Sequence, residues 1–355
     1  MNRFIDKKYV SLKAYIPGEQ PRDKKYVKLN TNESPYPPSP TVLEAVNSNE
    51  AAELRLYSDP TSMRLKTAIA EYLGVGKDMV FVSNGSDESL NFLFMAFCEK
   101  GAAFADITYG FYKVFAELYG KKMNIIPLKG DFTIDTDKFA ESRETVFIAN
   151  PNAPTGIFLP LAEIEKLLLS NRDRLVVIDE AYIDFGGESA VLLLGKYDNL
   201  AVVQTFSKSR QLAGARIGFT VASPEITAGL EKIKYSTNPY NVNRLSELCG
   251  TLAMRDRAYF DKTRNMIIKT REKTKNELAA RGFEITQSDA NFLFVKCPYC
   301  SGRDFYEKLK ERGILVRYLG GERTEDYVRV TVGSDGEMDS FIKAADCIKK
   351  ETQKI

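Results

Sequence analysis

The 355-residue sequence contains no histidine. That excludes Ser-His-Asp and Cys-His nucleophilic centres and every His-ligated metal. Proton transfer near neutral pH then falls to a tuned Lys, Cys, Tyr, Asp or Glu. A lysine held at a cofactor is one known solution. Cysteine is scarce: Cys98, Cys249, Cys297, Cys300 and Cys347, an odd number at scattered spacing, suggest reduced thiols. Cys297-Pro298-Tyr299-Cys300 is a lone C-x-x-C. No second pair completes four zinc ligands, so it reads as a turn at a strand end. No apolar run approaches the about 18 residues of a membrane span. The start, Met1 to Asp6, is no signal peptide, and a cytoplasmic protein is expected. The formal net charge is only +2 and the charges are interspersed, so no basic face argues for nucleic acid. Internal repeats and low-complexity tracts are lacking. Gly74-Val75-Gly76-Lys77-Asp78 lacks the glycine spacing and the Ser/Thr of a phosphate-binding P-loop.

What is present is an ordinary globular balance, 44% hydrophobic and 28% charged, in a chain long enough for two domains or one elaborated α/β domain. Residues 1–30 read as a polar N-terminal arm. Residues 29–38 form an extended loop fixed by prolines, a linker or else a site wall offering Asn32 and Tyr36. Helices are expected over 40–49 and 62–73. From residue 79 to about 222, short apolar strands alternate with helices. Strands fall at 79–82, 102–105, 123–127, 145–149, 175–178, 200–203 and 214–221. Helices include 89–97 and 161–170. Such alternation implies a mainly parallel sheet with helices on both faces, whose ligands sit beyond the strands' carboxyl ends.

At those ends stand the candidates. Gly85-Ser86-Asp87 follows a strand and opens a helix, a geometry that faces amides toward an anion. Tyr109 could stack on a flat ring. Asn152 lies in a loop fixed by two prolines. Asp179 follows an all-apolar run, and a carboxylate at the core's edge needs a partner: a protonated ring nitrogen or a structural arginine. Lys208 follows another buried strand, among hydroxyls, with Arg216 eight residues on. It reads as a Schiff-base lysine, with Thr205, Ser207 and Arg216 holding a phosphate. Beyond residue 223 the chain is helical to 281. It then becomes a smaller α+β unit with strands at 292–295, 314–317 and 327–332 and helices at 303–312 and 337–349. Arg329, on an otherwise apolar strand, suggests recognition of a carboxylate.

Segments 150–156, 179–182 and 207–216, with Arg329, resemble the fold-type I pyridoxal-phosphate (PLP) aminotransferases over nearly the whole chain. Segments 29–38, 56–60, 85–88, 108–112 and 313–318 are most similar to the branch that transaminates histidinol phosphate. The resemblance implies a seven-stranded-type sheet in a large PLP-binding domain (46–265). A small C-terminal domain (266–355) and an arm contributing to it (1–45) complete the chain. It implies that Lys208 forms the covalent link to the cofactor and then shuttles a proton. Asp179 pairs with the ring nitrogen, Tyr182 binds the ring oxygen and Tyr109 stacks. Gly85, Ser86, Asp87, Ser207 and Arg216 hold the phosphate, with Thr205 a weaker candidate. Tyr57 reaches the phosphate of a neighbouring subunit, which makes the protein a homodimer. Arg329 clamps the substrate carboxylate, with Tyr36, Asn32 and Arg317 toward the rest of the substrate. The family usually has asparagine before Pro-Thr-Gly, where Ala153 stands here. Either Asn152 takes over that contact through a shifted loop, or Tyr182 holds the oxygen alone. The reaction implied is L-histidinol phosphate plus 2-oxoglutarate giving imidazole acetol phosphate and L-glutamate. The alternatives are an aromatic or other aminotransferase, with Tyr36 and Tyr112 serving the side chain, and a threonine-phosphate decarboxylase on the same fold.

Overall fold

Six of the seven strands in the central sheet have every residue buried. The computed structural model describes residues 7–47 and 49–353, so the Met1 to Asp6 start read above lies outside the described residues. The spatial order is Val80–Ser83, Gly218–Ala222, Leu200–Thr205, Val176–Asp179, Thr145–Ala149, Ala102–Ala105 and Met123–Ile126. Every pairing is parallel except the two made by Gly218–Ala222. Alternate residues of each strand feed two cores, because side chains alternate across a sheet. Val80, Val82, Val146, Ile148, Val176 and Ile178 enter one. Phe81, Phe147, Val177 and Val203 enter the other. Burying each such side chain stabilises the fold by about 1.5–3 kcal/mol, which is why these runs read as continuously apolar. The expected mainly parallel sheet, covered on both faces, is the one observed.

The reversed strand departs from expectation. Residues 214–221 do not form one strand. Ala213–Ala215 is a single 3-10 turn, and the strand proper is Gly218–Ala222. Arg216 lies between them at φ 54, a left-handed conformation no strand accommodates. Because this strand starts at the edge where its neighbours end, Arg216 is delivered to that same edge. The helix expected over 89–97 also begins earlier, as Ser86–Ala96, with Gly85 at its N-cap. Gly218 lets that helix start close to the sheet, since a Cβ there would fall 2.3 Å from the Ser86 nitrogen.

The remainder holds a four-stranded sheet in the order Arg317–Tyr318, Tyr327–Thr331, Phe292–Lys296, Glu284–Ile285. A two-stranded parallel pair joins Val27–Lys28 to Ile314–Leu315. The expected strand 314–317 is therefore two, each in a different sheet. Helix Arg257–Ala280 runs between cores: Phe260 rings against Tyr72, Ile267 packs with Phe185 and Val332, and Leu278 joins the cluster around Phe305 and Phe341. Among the described residues no helix is long and apolar enough to cross a membrane.

Candidate active site

The carboxyl edge of the large sheet opens on a cavity of about 350 Å³ whose lining includes Ser86, Tyr109, Asp179, Ser207, Lys208 and Arg216. Asp179 is the last residue of its strand. In the alternation it shares a face with Val177, so its carboxylate meets the aromatic core. There the Tyr112 hydroxyl donates to Oδ2 at 2.8 Å and the Ala181 amide to Oδ1 at 3.3 Å. Burial pushes Asp179 up to about 6, against these two bonds and nearby Lys208, with Asp87 adding to the rise. No cationic side chain among the described residues lies within ion-pair distance of it. A buried carboxylate with no cation, lining a cavity, calls for a positively charged partner from a ligand.

Asp87 is the hinge of the opposite wall. Its Oδ1 accepts from the Tyr109 hydroxyl at 2.7 Å and its Oδ2 from Arg216 Nη2 at 3.1 Å. Burial first, and Asp87 second, hold the Tyr109 phenol well above its ordinary pKa, so it stays a neutral donor. Helix Ser86–Ala96 aims its unpaired first amides at this edge. Gly85 has φ 76, and a Cβ on it would come within 2.6 Å of Arg216 Nη2. Ser86, Asp87, Ser207 and Arg216 all line this cavity, so helix amides, a hydroxyl and a guanidinium are available to an anion there. The Thr205 hydroxyl is committed locally, to Ser207 Oγ at 3.0 Å and the Ile217 carbonyl at 3.2 Å.

Lys208 Nζ reaches the Thr31 carbonyl at 3.2 Å and lies 5.8 Å from the centre of the Tyr182 ring. Asn32 donates to the Tyr182 hydroxyl at 2.9 Å. Thr331 fixes Asn32 in turn: its hydroxyl donates to Asn32 Oδ1 at 3.1 Å and accepts the Asn32 amide at 3.0 Å. A second cavity of about 730 Å³ shares Tyr109, Tyr182 and Lys208 with the first and extends to Arg317, Arg323 and Arg329. Arg317 and Arg329 are direct cross-strand partners. Two like charges so placed repel. Arg317 gives one donor each to the Ile16 and Pro17 carbonyls and keeps others free, and Arg329 gives one to the Asn30 carbonyl. Arg329 Nε is buried without a partner. Burial lowers the Arg329 pKa, with Arg317 contributing. A dehydrated, partly unsatisfied guanidinium beside a second one calls for an anion. Arg323, at the rim, pairs with Asp106 at 2.8 Å.

Other candidates fall elsewhere. Asn152 lies outside the lining of both cavities. Its amide is committed to Thr108, the Ile107 carbonyl and Thr155 at 2.9–3.0 Å, and Ala153 lines the cavities instead. Tyr36 packs against the Phe185, Ile267 and Val332 cluster, away from both. Tyr57 is 79% exposed and stacks on Tyr240 at 4.6 Å. Tyr112 is wholly buried against Asp179, so it serves no substrate side chain. Its signal lay in the spacing: three residues after Tyr109 at a helix start, it shares that residue's face, where the buried carboxylate lacked a donor.

The family model of aminotransferase class I and II matches residues 24–344. A histidinol-phosphate aminotransferase of Clostridium acetobutylicum is 48% identical over 351 residues, covering 98% of this chain and all of that protein. One from Brachyspira hyodysenteriae is 49% identical, covering 97% and 98%. The crystal structure of a histidinol-phosphate aminotransferase from Sinorhizobium meliloti, in complex with pyridoxal 5′-phosphate, superposes with a TM-score of 0.82. It is 25% identical and covers 92% of this chain and 90% of that one.

Proposed function

The chain belongs to the class I and II aminotransferases, and on that premise we propose that it moves the amino group of L-histidinol phosphate to 2-oxoglutarate. The products are imidazole acetol phosphate and L-glutamate, and the cofactor is PLP. The observation that carries the reaction class is Asp179, a buried carboxylate with no cation, facing a cavity bounded by a lysine and an anion cradle. Those residues fit the cofactor's three polar ends: ring nitrogen at Asp179, ring oxygen at Tyr182, phosphate at Ser86, Ser207 and Arg216. The cradle is also tight enough that a Cβ on Gly85 would strike Arg216.

When bound, PLP supplies an electron sink that stabilises negative charge at the substrate carbon bearing the amine. The protein's own groups do the rest. Lys208 Nζ would anchor the cofactor and, once displaced, would take the proton from that carbon of the amino donor and, in the second half-reaction, give one to the corresponding carbon derived from 2-oxoglutarate. Asp179 keeps the ring nitrogen protonated, and Tyr112 holds Asp179 in place. Asn32 orients the Tyr182 hydroxyl toward the ring oxygen. Tyr109, fixed by Asp87, covers the ring face. The amides of Ser86 and Asp87, with Ser207 and Arg216, fix the phosphate; Gly85 gives them room and Thr205 orients Ser207.

Both substrates bring close to two negative charges: the donor's phosphate monoester carries about −1.5 to −2 near neutral pH, and 2-oxoglutarate has two carboxylates. Arg329 and Arg317 together match that charge, and one pair would serve both half-reactions. The curated relatives named above supply the identity of the donor. In this reading residues 46–265 bind the cofactor, and residues 266–355 with part of 1–45 bring the arginines. The exposed Tyr57–Tyr240 pair marks the face where a second copy docks, with Tyr57 reaching the partner's phosphate site. The protein works in the cytoplasm, where scattered cysteines stay reduced.

The test is to load the protein with PLP, supply 2-oxoglutarate, and rank amino donors by glutamate formed. L-Histidinol phosphate should lead. Faster turnover of phenylalanine or tyrosine would overturn the assignment, and carbon dioxide released from threonine phosphate would mark a decarboxylase.

A further inference from the structure

We propose that Cys297 and Cys300 form a reversible dithiol–disulfide site, closed by exchange with a small-molecule disulfide and separate from the cavities described above. The two sulfurs lie 3.8 Å apart, with the Cys300 thiol directed at Cys297. Forming the bond needs them to approach to about 2.05 Å, a shift within side-chain reach. The turn that carries them is held from outside. The Tyr299 hydroxyl donates to the Arg281 carbonyl. Its ring meets Phe283 edge-on at 5.8 Å, and Lys349 lies 5.2 Å from its centre. Cys297 is buried and Cys300 is half-exposed, so one thiol is reachable and the other waits behind it. Among the described residues no third His, Cys, Asp or Glu joins them into a metal-binding group. The other three cysteines have no such neighbour: Cys98 and Cys249 are buried and Cys347 is exposed on the last helix.

The chemistry balances as two exchanges. The Cys300 sulfur, losing its proton to solvent, attacks one sulfur of the small disulfide and expels the other half as a thiol. The Cys297 sulfur, also deprotonated, then attacks Cys300 in the mixed disulfide and expels the second half. The protein gives up two hydrogens in all, and the reagent is reduced to two thiols. Burial, with Cys297 beside it, holds the Cys300 thiol up at about 12; Asp304 adds to this and Lys308 opposes it. Only a small fraction of Cys300 is thiolate at neutral pH, which slows its attack on the small disulfide.

The sequence makes the test direct. Trypsin cuts after Lys296 and Arg303, releasing both cysteines on one peptide, Cys297 to Arg303. The full-length, PLP-loaded protein is treated with oxidised glutathione, its remaining thiols are alkylated, and it is digested. The expected peptide is lighter by two hydrogen atoms and carries no alkyl group, while the Cys347 peptide carries glutathione. Dithiothreitol should restore two alkylatable thiols. Two alkylated cysteines, when Cys347 has already exchanged, would overturn the proposal. So would stable glutathione on either cysteine, or a bridge from either to Cys347. In Cys300→Ser, and separately in Cys297→Ser, the lighter peptide should disappear; its persistence would equally overturn the assignment.

Discussion

Replacing Tyr112 by Phe tests the floor of the site with the smallest perturbation available. The ring is wholly buried and packs against Phe94, Phe104 and Phe147, so Phe keeps the packing and removes one oxygen. That oxygen donates to Asp179, whose pKa already stands at about 6 through burial. A hydrogen bond to a charged group contributes about 1.5–3 kcal/mol, and 1.36 kcal/mol is one pKa unit. Asp179 in the variant should therefore titrate at about 7–8 in the apoprotein. Pairing with a protonated ring needs the ionised carboxylate, so the pH below which PLP affinity falls should move up by about one to two units. At pH 7 the apparent Kd for PLP should rise about two- to tenfold, and the gap should close by about pH 9. The assay is a fluorescence titration of both apoproteins with PLP from pH 5.5 to 9. An unchanged midpoint with unchanged affinity would refute the claim that Tyr112 sets the charge of Asp179. A uniform loss at every pH would assign it to packing alone.

The other predictions concern the walls and the pair of subunits. Lys208→Ala should still bind PLP but lose about 10³-fold or more in glutamate formation; turnover within tenfold of the parent would sink the role of Lys208. Arg329→Lys keeps the charge but loses the fork and should raise KM for both histidinol phosphate and 2-oxoglutarate about 10- to 100-fold; a rise for one substrate only would show that the two do not share the site. For Tyr57, mixing denatured Tyr57→Ala and Lys208→Ala chains and refolding them together should regain about a quarter of parental activity, since half the dimers are mixed and each has one intact site. No recovery would place Tyr57 in its own subunit's site. Asp179 and Glu180 sit at about 6 and about 7, both raised chiefly by burial, so the folded apoprotein holds their protons more tightly than the unfolded chain. Their contribution is complete below about pH 4 and is lost as pH rises through 6 and 7. The Asp179→Asn apoprotein should then lose less stability than the parent between pH 5 and 8 in urea denaturation, and parallel curves would contradict the assignment.

Much of the sheet was legible because its strands are buried on both faces, and double burial writes itself as short unbroken apolar runs. Parallel order then places every loop after a strand on one edge, which is how Ser86, Tyr109, Asp179 and Lys208 come together in one cavity. The failures share a different cause. Reading residues 214–221 as a strand put Arg216 inside it, because nothing local says that this segment reverses direction and begins at the functional edge. Reading 314–317 as one strand hid the pairing of Arg317 with Arg329, which is set by register between two separate strands rather than by either one. Asn152 is one of two candidates for the ring oxygen on sequence grounds, yet Thr108, the Ile107 carbonyl and Thr155 already satisfy its side chain, the first two from a segment distant in sequence.

The same accounting explains which groups remain open to ligands. A buried polar group in a folded protein finds a partner within its own structure unless something else is meant to occupy the place. Asn152 and Tyr112 have found theirs and lie outside both cavities, while Thr205, which lines the first, has its hydroxyl bonded to Ser207 and the Ile217 carbonyl. Asp179 has two donors but no cation, Arg329 has an unpaired Nε, and the first amides of helix Ser86–Ala96 face open space at the sheet edge. These three groups differ in sign and shape: one asks for a cation and two for anions, along cavities that share Lys208. A phosphorylated pyridinium bound beside an anionic substrate would meet all three at once. A simple phosphate ester or a free amino acid leaves at least one buried charge unmatched, at a cost of several kcal/mol. The unmatched groups, more than any single conserved-looking motif, are therefore what restricts this site to a cofactor and a substrate acting together.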